Sequence, residues 1–190
     1  MKEDPKKYKN LFLDRDGVIN VESPGDYVKS ISEFVFEKDV PEALNILSFC
    51  FEKVFIVTNQ RGVGRGIMTS AQLQDVHSFM LSEININKGK ITGVYSCTDT
   101  DNTSVNRKPN TGMAFQILRD YPDVDFSETM MVGNSKSDIL FAKKLGIYSV
   151  LVGDKYPKND TIYDIADAHY ENLYKFALSL KSGNDEDYKK

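Results

Sequence analysis

The apolar run Leu11-Phe12-Leu13 stops abruptly at Asp14, Asp16 and Gly17, and this stretch constrains the chain more than any other. A short apolar run closed by charges and a glycine is the pattern of a buried parallel strand reaching the rim of its sheet. In open α/β sheets that rim is where ligands bind. Residues i and i+2 leave a strand on the same side, so Asp14 and Asp16 can converge on one point. Two converging carboxylates suit a nucleophile with a general acid, or a divalent-cation site. A polar strand exit with a glycine turn has the same local pattern, and this stretch alone does not separate the readings.

The rest of the chain repeats the strand-helix alternation. A loop over 22–36, with a turn cluster at 23–26, leads to an amphipathic helix near 41–50 that opens at Pro41. Strand 53–57 follows and ends in Thr58-Asn59-Gln60, completing a βαβ unit and implying a parallel sheet with right-handed crossovers. Gly62, Gly64 and Gly66 predict a flexible, close-approaching loop. Thr69 and Gln72 fit a capping box opening a helix to about Asn87. Strand 91–97, a polar loop over 98–110, and a helix carrying Ala114, Ile117, Leu118 and Tyr121 come next. Strand 129–132, a helix ended by Gly146, strand 148–152 and a helix over 164–180 complete the pattern. Residues 1–7 and 181–190 are expected to be poorly ordered. The expectation is one α/β domain over residues 1–190, three-layered and Rossmann-like, with a mainly parallel sheet of five or six strands.

Composition narrows the setting. A net charge of −4 argues against a broad nucleic-acid-binding face. Two cysteines, Cys50 and Cys97, make no disulfide framework, so a cytoplasmic location is expected. No apolar segment approaches the roughly 18–20 residues of a membrane span.

Polar groups suited to phosphate chemistry stand at several expected strand ends and loops: Asp14/Asp16, Thr58/Asn59, Lys108 and Asn134/Asp138. Each alone has a plain structural reading, as a strand-end turn or a solvated loop lysine. Together, in this order along one sheet edge, they form a constellation. The glycines at 62, 64 and 66 are offset from the first βα turn, which argues against a dinucleotide loop. His77, inside an amphipathic helix, reads as structural or solvated, and His169 and Cys50 receive no role.

The segments LFLDRDGVIN (11–20), IVTNQRGVGRG (56–66), NRKPNTGM (106–113) and MVGNSKSD (131–138) resemble the haloacid dehalogenase superfamily, in its capless branch of sugar bisphosphate and histidinol-phosphate phosphatases. The resemblance runs over roughly residues 9–152 and implies no separate cap domain. It implies Asp14 as the nucleophile that forms an aspartyl-phosphate, and Asp16 as acid and then base. That division requires Asp14 ionised and Asp16 protonated at the start. Thr58, Asn59, Gln60 and Lys108 would hold the phosphoryl group, and Arg65 and Arg107 would border the substrate, where a guanidinium could grip a second phosphate. Mg²⁺ would be held by Asp14, Asp16 through its carbonyl, Asn134 and Asp138.

Two positions depart from the family. Asn134 stands where an aspartate is usual, removing one negative charge from the metal site, so a raised Mg²⁺ requirement is expected unless Asp138 compensates. The loop 98–106 keeps one cysteine, Cys97, where many relatives carry four soft zinc ligands, so no zinc is expected. The expected substrate is a small phosphorylated sugar, a heptose bisphosphate first. Histidinol phosphate, a nucleic-acid 3′-phosphate end, and a non-catalytic phosphate-binding role are the alternatives. No nucleic acid or membrane partner is expected, and the chain should act as a monomer or a small homo-oligomer.

Overall fold

The computed structural model describes residues 7–23 and 25–185. Strand β1 (Asn10–Leu13) leads through a long loop to α1 (Val40–Cys50), β2 (Lys53–Asn59), α2 (Arg61–Gly64), α3 (Ser70–Ile86) and β3 (Gly93–Cys97). Then come α4 (Gly112–Asp120), β4 (Thr129–Gly133), α5 (Lys136–Leu145), β5 (Tyr148–Val152), α6 (Ile162–Ile165), β6 (Ala168–Tyr170) and α7 (Leu173–Asp185).

The sheet has six strands in the order β3-β2-β1-β4-β5-β6. Every neighbouring pair is parallel. Alternation along β1 divides the core: Leu11 and Leu13 pack with Leu44, Val76, Met80 and Phe176 on one face. Phe12 packs with Phe55, Ile117 and Phe141 on the other. Helices thus cover both faces, as a parallel sheet requires. The chain moves outward from β1 to β2 and β3, then returns to β1's other side as β4. The reversal puts the carboxyl ends of β1 and β4 beside a crevice, the usual ligand position in such sheets.

Four expectations change. The single helix over 164–180 is instead α6, β6 and α7. Ala168, His169 and Tyr170 pair with Val150, Leu151 and Val152, and Asp167 Oδ2 takes the Ser149 N–H at 2.8 Å and its hydroxyl at 2.7 Å. A three-residue strand is too short to show alternation. At the C-terminus, residues 181–185 belong to α7, while 186–190, like 1–6 and Pro24 of the turn cluster, lie outside the described residues. The glycine loop after β2 is a helical turn. Its close approach is real: a Cβ on Gly64 would lie 2.2 Å from the Thr98 carbonyl oxygen. The third strand starts at Gly93 rather than 91.

Candidate active site

Asp14 follows β1 directly, and its N–H donates to the Val132 carbonyl at 2.9 Å, which ties it to β4. Its Oδ1 accepts the Arg15 N–H at 2.8 Å and faces Lys108 Nζ at 2.9 Å. Gly17 then turns the chain at φ +76, and a Cβ there would meet Asn134 Nδ2 at 1.9 Å. Only glycine lets the loop after β4 close against the loop after β1.

Lys108 is buried, and its ammonium donates to the Val57 carbonyl at 2.6 Å and Asp138 Oδ1 at 2.6 Å while pairing with Asp14. Burial opposes its charge, but Asp138 and Asp14 outweigh that and raise its pKa. Asn59 places it: Asn59 Oδ1 accepts the Lys108 N–H at 3.0 Å and its Nδ2 donates to the Lys108 carbonyl at 3.1 Å. The Asn59 amide is therefore committed to backbone. Asp138 is likewise committed. Its Oδ1 faces Lys108, and its Oδ2 takes the N–H and hydroxyl of Ser135 at 3.0 and 2.5 Å in the capping box of α5. Asp138, expected as a metal ligand, thus has one oxygen on Lys108 and the other on the helix start.

The two aspartates sit in different surroundings. Burial, reinforced by Asp138, pushes Asp14 up to about 7 against the pull of Lys108. Burial pushes Asp16 upward too, but Arg15, Asn20 and Gln60 overcome it and hold Asp16 below the ordinary carboxylate range. Asp16 Oδ1 accepts from Arg15 Nη2 at 2.7 Å, Arg15 Nε at 3.2 Å and Asn20 Nδ2 at 3.0 Å, and Oδ2 accepts from Gln60 Nε2 at 2.7 Å. Four donors stabilise the anion. Like-charge spacing in sequence does not reveal such neighbours.

Gln60 Nε2 also donates to Thr58 Oγ1 at 2.9 Å, leaving the Thr58 proton free to donate elsewhere. Both residues are buried and neither lines the cavity of about 350 Å³ that Asp14, Asp16, Asn59, Lys108 and Asn134 line. Arg65 and Arg107 lie on the same cavity. Arg65 Nη1 donates to the Tyr27 hydroxyl at 3.2 Å, whereas Arg107 Nη1 is buried and has no hydrogen-bond partner. Burial and then the neighbouring Arg61 lower the Arg107 pKa.

Sequence reasoning missed Arg15, Asn20, Glu22 and His77. Arg15 is fully buried, and its Nη1 lies 3.1 Å from His77 Nε2. Burial and then the Arg15 charge push His77 down to about 4. Glu22 Oε2 accepts from Asn134 Nδ2 at 3.2 Å, and Lys155 Nζ donates to both Glu22 oxygens at 2.8 and 2.7 Å. Because Glu22 can only accept, it fixes the Asn134 amide with nitrogen toward itself and Oδ1 turned away. A run of polar residues in a loop carries no signal for such pairings.

The donor set suits a hard cation: a carboxylate at Asp14 and an amide oxygen at Asn134, two residues that line the same cavity. Among the described residues no group of three or more His, Cys, Asp or Glu could hold a metal ion, so any site here relies on amide and carbonyl oxygens as well. The loop 98–106 is held by hydrogen bonds: the Cys97 thiol to Asp99 Oδ2 at 3.6 Å, the Ser104 hydroxyl to Asp99, and Arg61 to Asn102.

Comparison with known proteins agrees with this architecture. The HAD-hydrolase-like family matches residues 105–171. The D-glycero-alpha-D-manno-heptose-1,7-bisphosphate 7-phosphatase of Mycobacterium bovis is 30% identical, with 90% of each chain covered. The D-glycero-beta-D-manno-heptose-1,7-bisphosphate 7-phosphatase of Escherichia coli is 34% identical, with 90% of this chain and 93% of that one covered. A crystal structure of D,D-heptose 1,7-bisphosphate phosphatase from B. bronchiseptica, complexed with magnesium and phosphate, matches with a TM-score of 0.78 at 29% identity. That match covers 92% of this chain and 98% of that chain. The chain belongs to the haloacid dehalogenase-like hydrolases and is a phosphatase of that superfamily, without a separate cap domain. Among the described residues no helix is long and apolar enough to cross a membrane.

Proposed function

We propose that this phosphatase hydrolyses a phosphomonoester of a small sugar bisphosphate through an aspartyl-phosphate on Asp14, with a D-glycero-D-manno-heptose 1,7-bisphosphate as the substrate. The observation that carries the reading is the 2.9 Å pair of Asp14 with buried Lys108 in a cavity that Arg65 and Arg107 also line. Lys108 would aim Asp14 at phosphorus, oppose the upward push on its carboxyl, and neutralise a phosphoryl oxygen. An Asp14 oxygen forms the bond to phosphorus, the ester P–O bond breaks, and Asp16 gives a proton to the departing oxygen. Asp16 then takes a proton from the water that releases phosphate. Its resting carboxylate is ready for the second task. The first requires a proton, which an approaching phosphate dianion favours by like-charge repulsion.

Mg²⁺ would be held by the Asp14 carboxylate, the Asp16 carbonyl and Asn134 Oδ1, and when bound supplies positive charge to the phosphoryl oxygens. The unpartnered Nη1 of Arg107, beside Arg65, supports a second anionic group on the substrate. It favours a bisphosphate over histidinol phosphate, whose remaining end is cationic. The free thiols of Cys50 and Cys97 are consistent with a cytoplasmic setting. The test is phosphate release from the alpha and beta heptose bisphosphates, the matching monophosphates, histidinol phosphate and a DNA 3′-phosphate, each at millimolar Mg²⁺. A bisphosphate should lead in kcat/KM, and Arg107→Ala should erase its lead over the monophosphate. Preference for histidinol phosphate or a DNA end would overturn the substrate, and turnover surviving in Asp14→Asn would overturn the mechanism.

A further inference from the structure

We infer that His77 is a positioning residue for Asp16, acting through the buried guanidinium of Arg15. An arginine side chain carries only donors, so His77 Nε2, 3.1 Å from Arg15 Nη1, must present its lone pair. The imidazole is therefore neutral there, with its proton on Nδ1, and it accepts one corner of the guanidinium. The other two nitrogens, Nε at 3.2 Å and Nη2 at 2.7 Å, meet a single oxygen of Asp16. A guanidinium with no solvent exposure is thus pinned between one carboxylate oxygen and one imidazole.

Three contacts to these two acceptors orient the planar guanidinium, and its orientation sets where Asp16 Oδ1 stands. With Oδ1 engaged, Oδ2 is left to Gln60 at 2.7 Å and to the reacting groups. His77 projects from α3, whose start is anchored by the Thr69–Gln72 capping box, so the imidazole belongs to a rigid element rather than a loop. Without that acceptor the buried Nη1 loses its partner. Leaving such a donor unsatisfied is costly, so the guanidinium swings to find another and Asp16 moves with it.

The inference rests on the reading of Asp16 as the acid that protonates the leaving oxygen. An alkyl leaving group such as a sugar needs that proton, whereas 4-nitrophenolate leaves without it. The experiment measures kcat for a sugar phosphate and for 4-nitrophenyl phosphate in the full chain, and follows their ratio. His77→Leu should lower the ratio about tenfold or more, within the span general acid catalysis supplies. His77→Gln, whose amide oxygen can accept from Arg15, should restore it to within about threefold. Should the leucine variant fail to fold by circular dichroism, His77→Ser, too short to reach Arg15, takes its place with the same expectation. A loss of both activities in proportion, or an unchanged ratio, overturns the positioning role. An unchanged ratio in Asp16→Asn overturns the acid role of Asp16 instead, so the two failures are distinct.

Discussion

Lys108 Nζ and Asp138 Oδ1 meet at 2.6 Å with side chains 1% and 0% exposed, so the charge that faces Asp14 is set by a residue that never reaches the cavity. A buried lysine shared by two carboxylates must be matched on both sides, because each charge left without its partner is destabilising.

Lys108→Ala strands Asp14 and Asp138 together and should cost about 3–5 kcal/mol of stability. Lys108→Ala with Asp138→Ala should recover part of that loss, since only Asp14 then remains unpaired. Urea unfolding of the two singles and the double gives the coupling. Turnover in every one of them should fall at least about a hundredfold.

Opposing pH slopes should be visible in the metal-free protein. The Asp14 carboxyl is raised from 3.8 to about 7, so its contribution to stability falls as pH rises through that window. His77 is lowered from 6.5 to about 4, so its contribution is full above 6.5 and is lost as pH falls toward 4. At most the Asp14 shift is worth about 4 kcal/mol and the His77 shift about 3 kcal/mol. Asp14→Asn should shift the slope of stability with pH between about 4 and 6.5 in the upward direction, and His77→Gln in the downward direction. Denaturant titrations across that range check the signs.

Asn134→Asp should tighten Mg²⁺ binding about tenfold, read by calorimetry, because it restores a negative charge among oxygen ligands. Without metal the same change should lower stability by about 1 kcal/mol, since it replaces the hydrogen bond to Glu22 by like-charge repulsion. Equal Mg²⁺ affinity in both proteins would remove Asn134 from the metal site.

Asn59→Ala should lower kcat by about tenfold or more while leaving the lysine in place chemically, because the 3.0 and 3.1 Å clamp on the Lys108 backbone is gone. Its stability cost should be about 1–3 kcal/mol from the backbone groups left unpaired. Kinetics and thermal melts on the same preparation separate the two.

What could be read along the chain was what local pattern encodes. Leu11 to Leu13 closed by Asp14 and Asp16, the Thr69–Gln72 capping box and Gly146 beyond α5 depend on neighbours a few residues away. Strand, helix and parallel sheet followed from them. The order of Asp14, Thr58, Lys108 and Asn134 likewise placed these residues at one sheet edge. What local pattern could not encode were charges meeting across long separations in sequence. Lys108 meets Asp138 across 30 residues, and Gln60 reaches Asp16 across 44, to join Arg15 and Asn20 around its carboxylate. His77, 62 residues from Arg15, was silent for the same reason. β6, too short for periodicity, exists because β5 offered it an edge. Ionisation and hydrogen bonding depend on three-dimensional neighbours and on burial, and both arise only when the sheet closes.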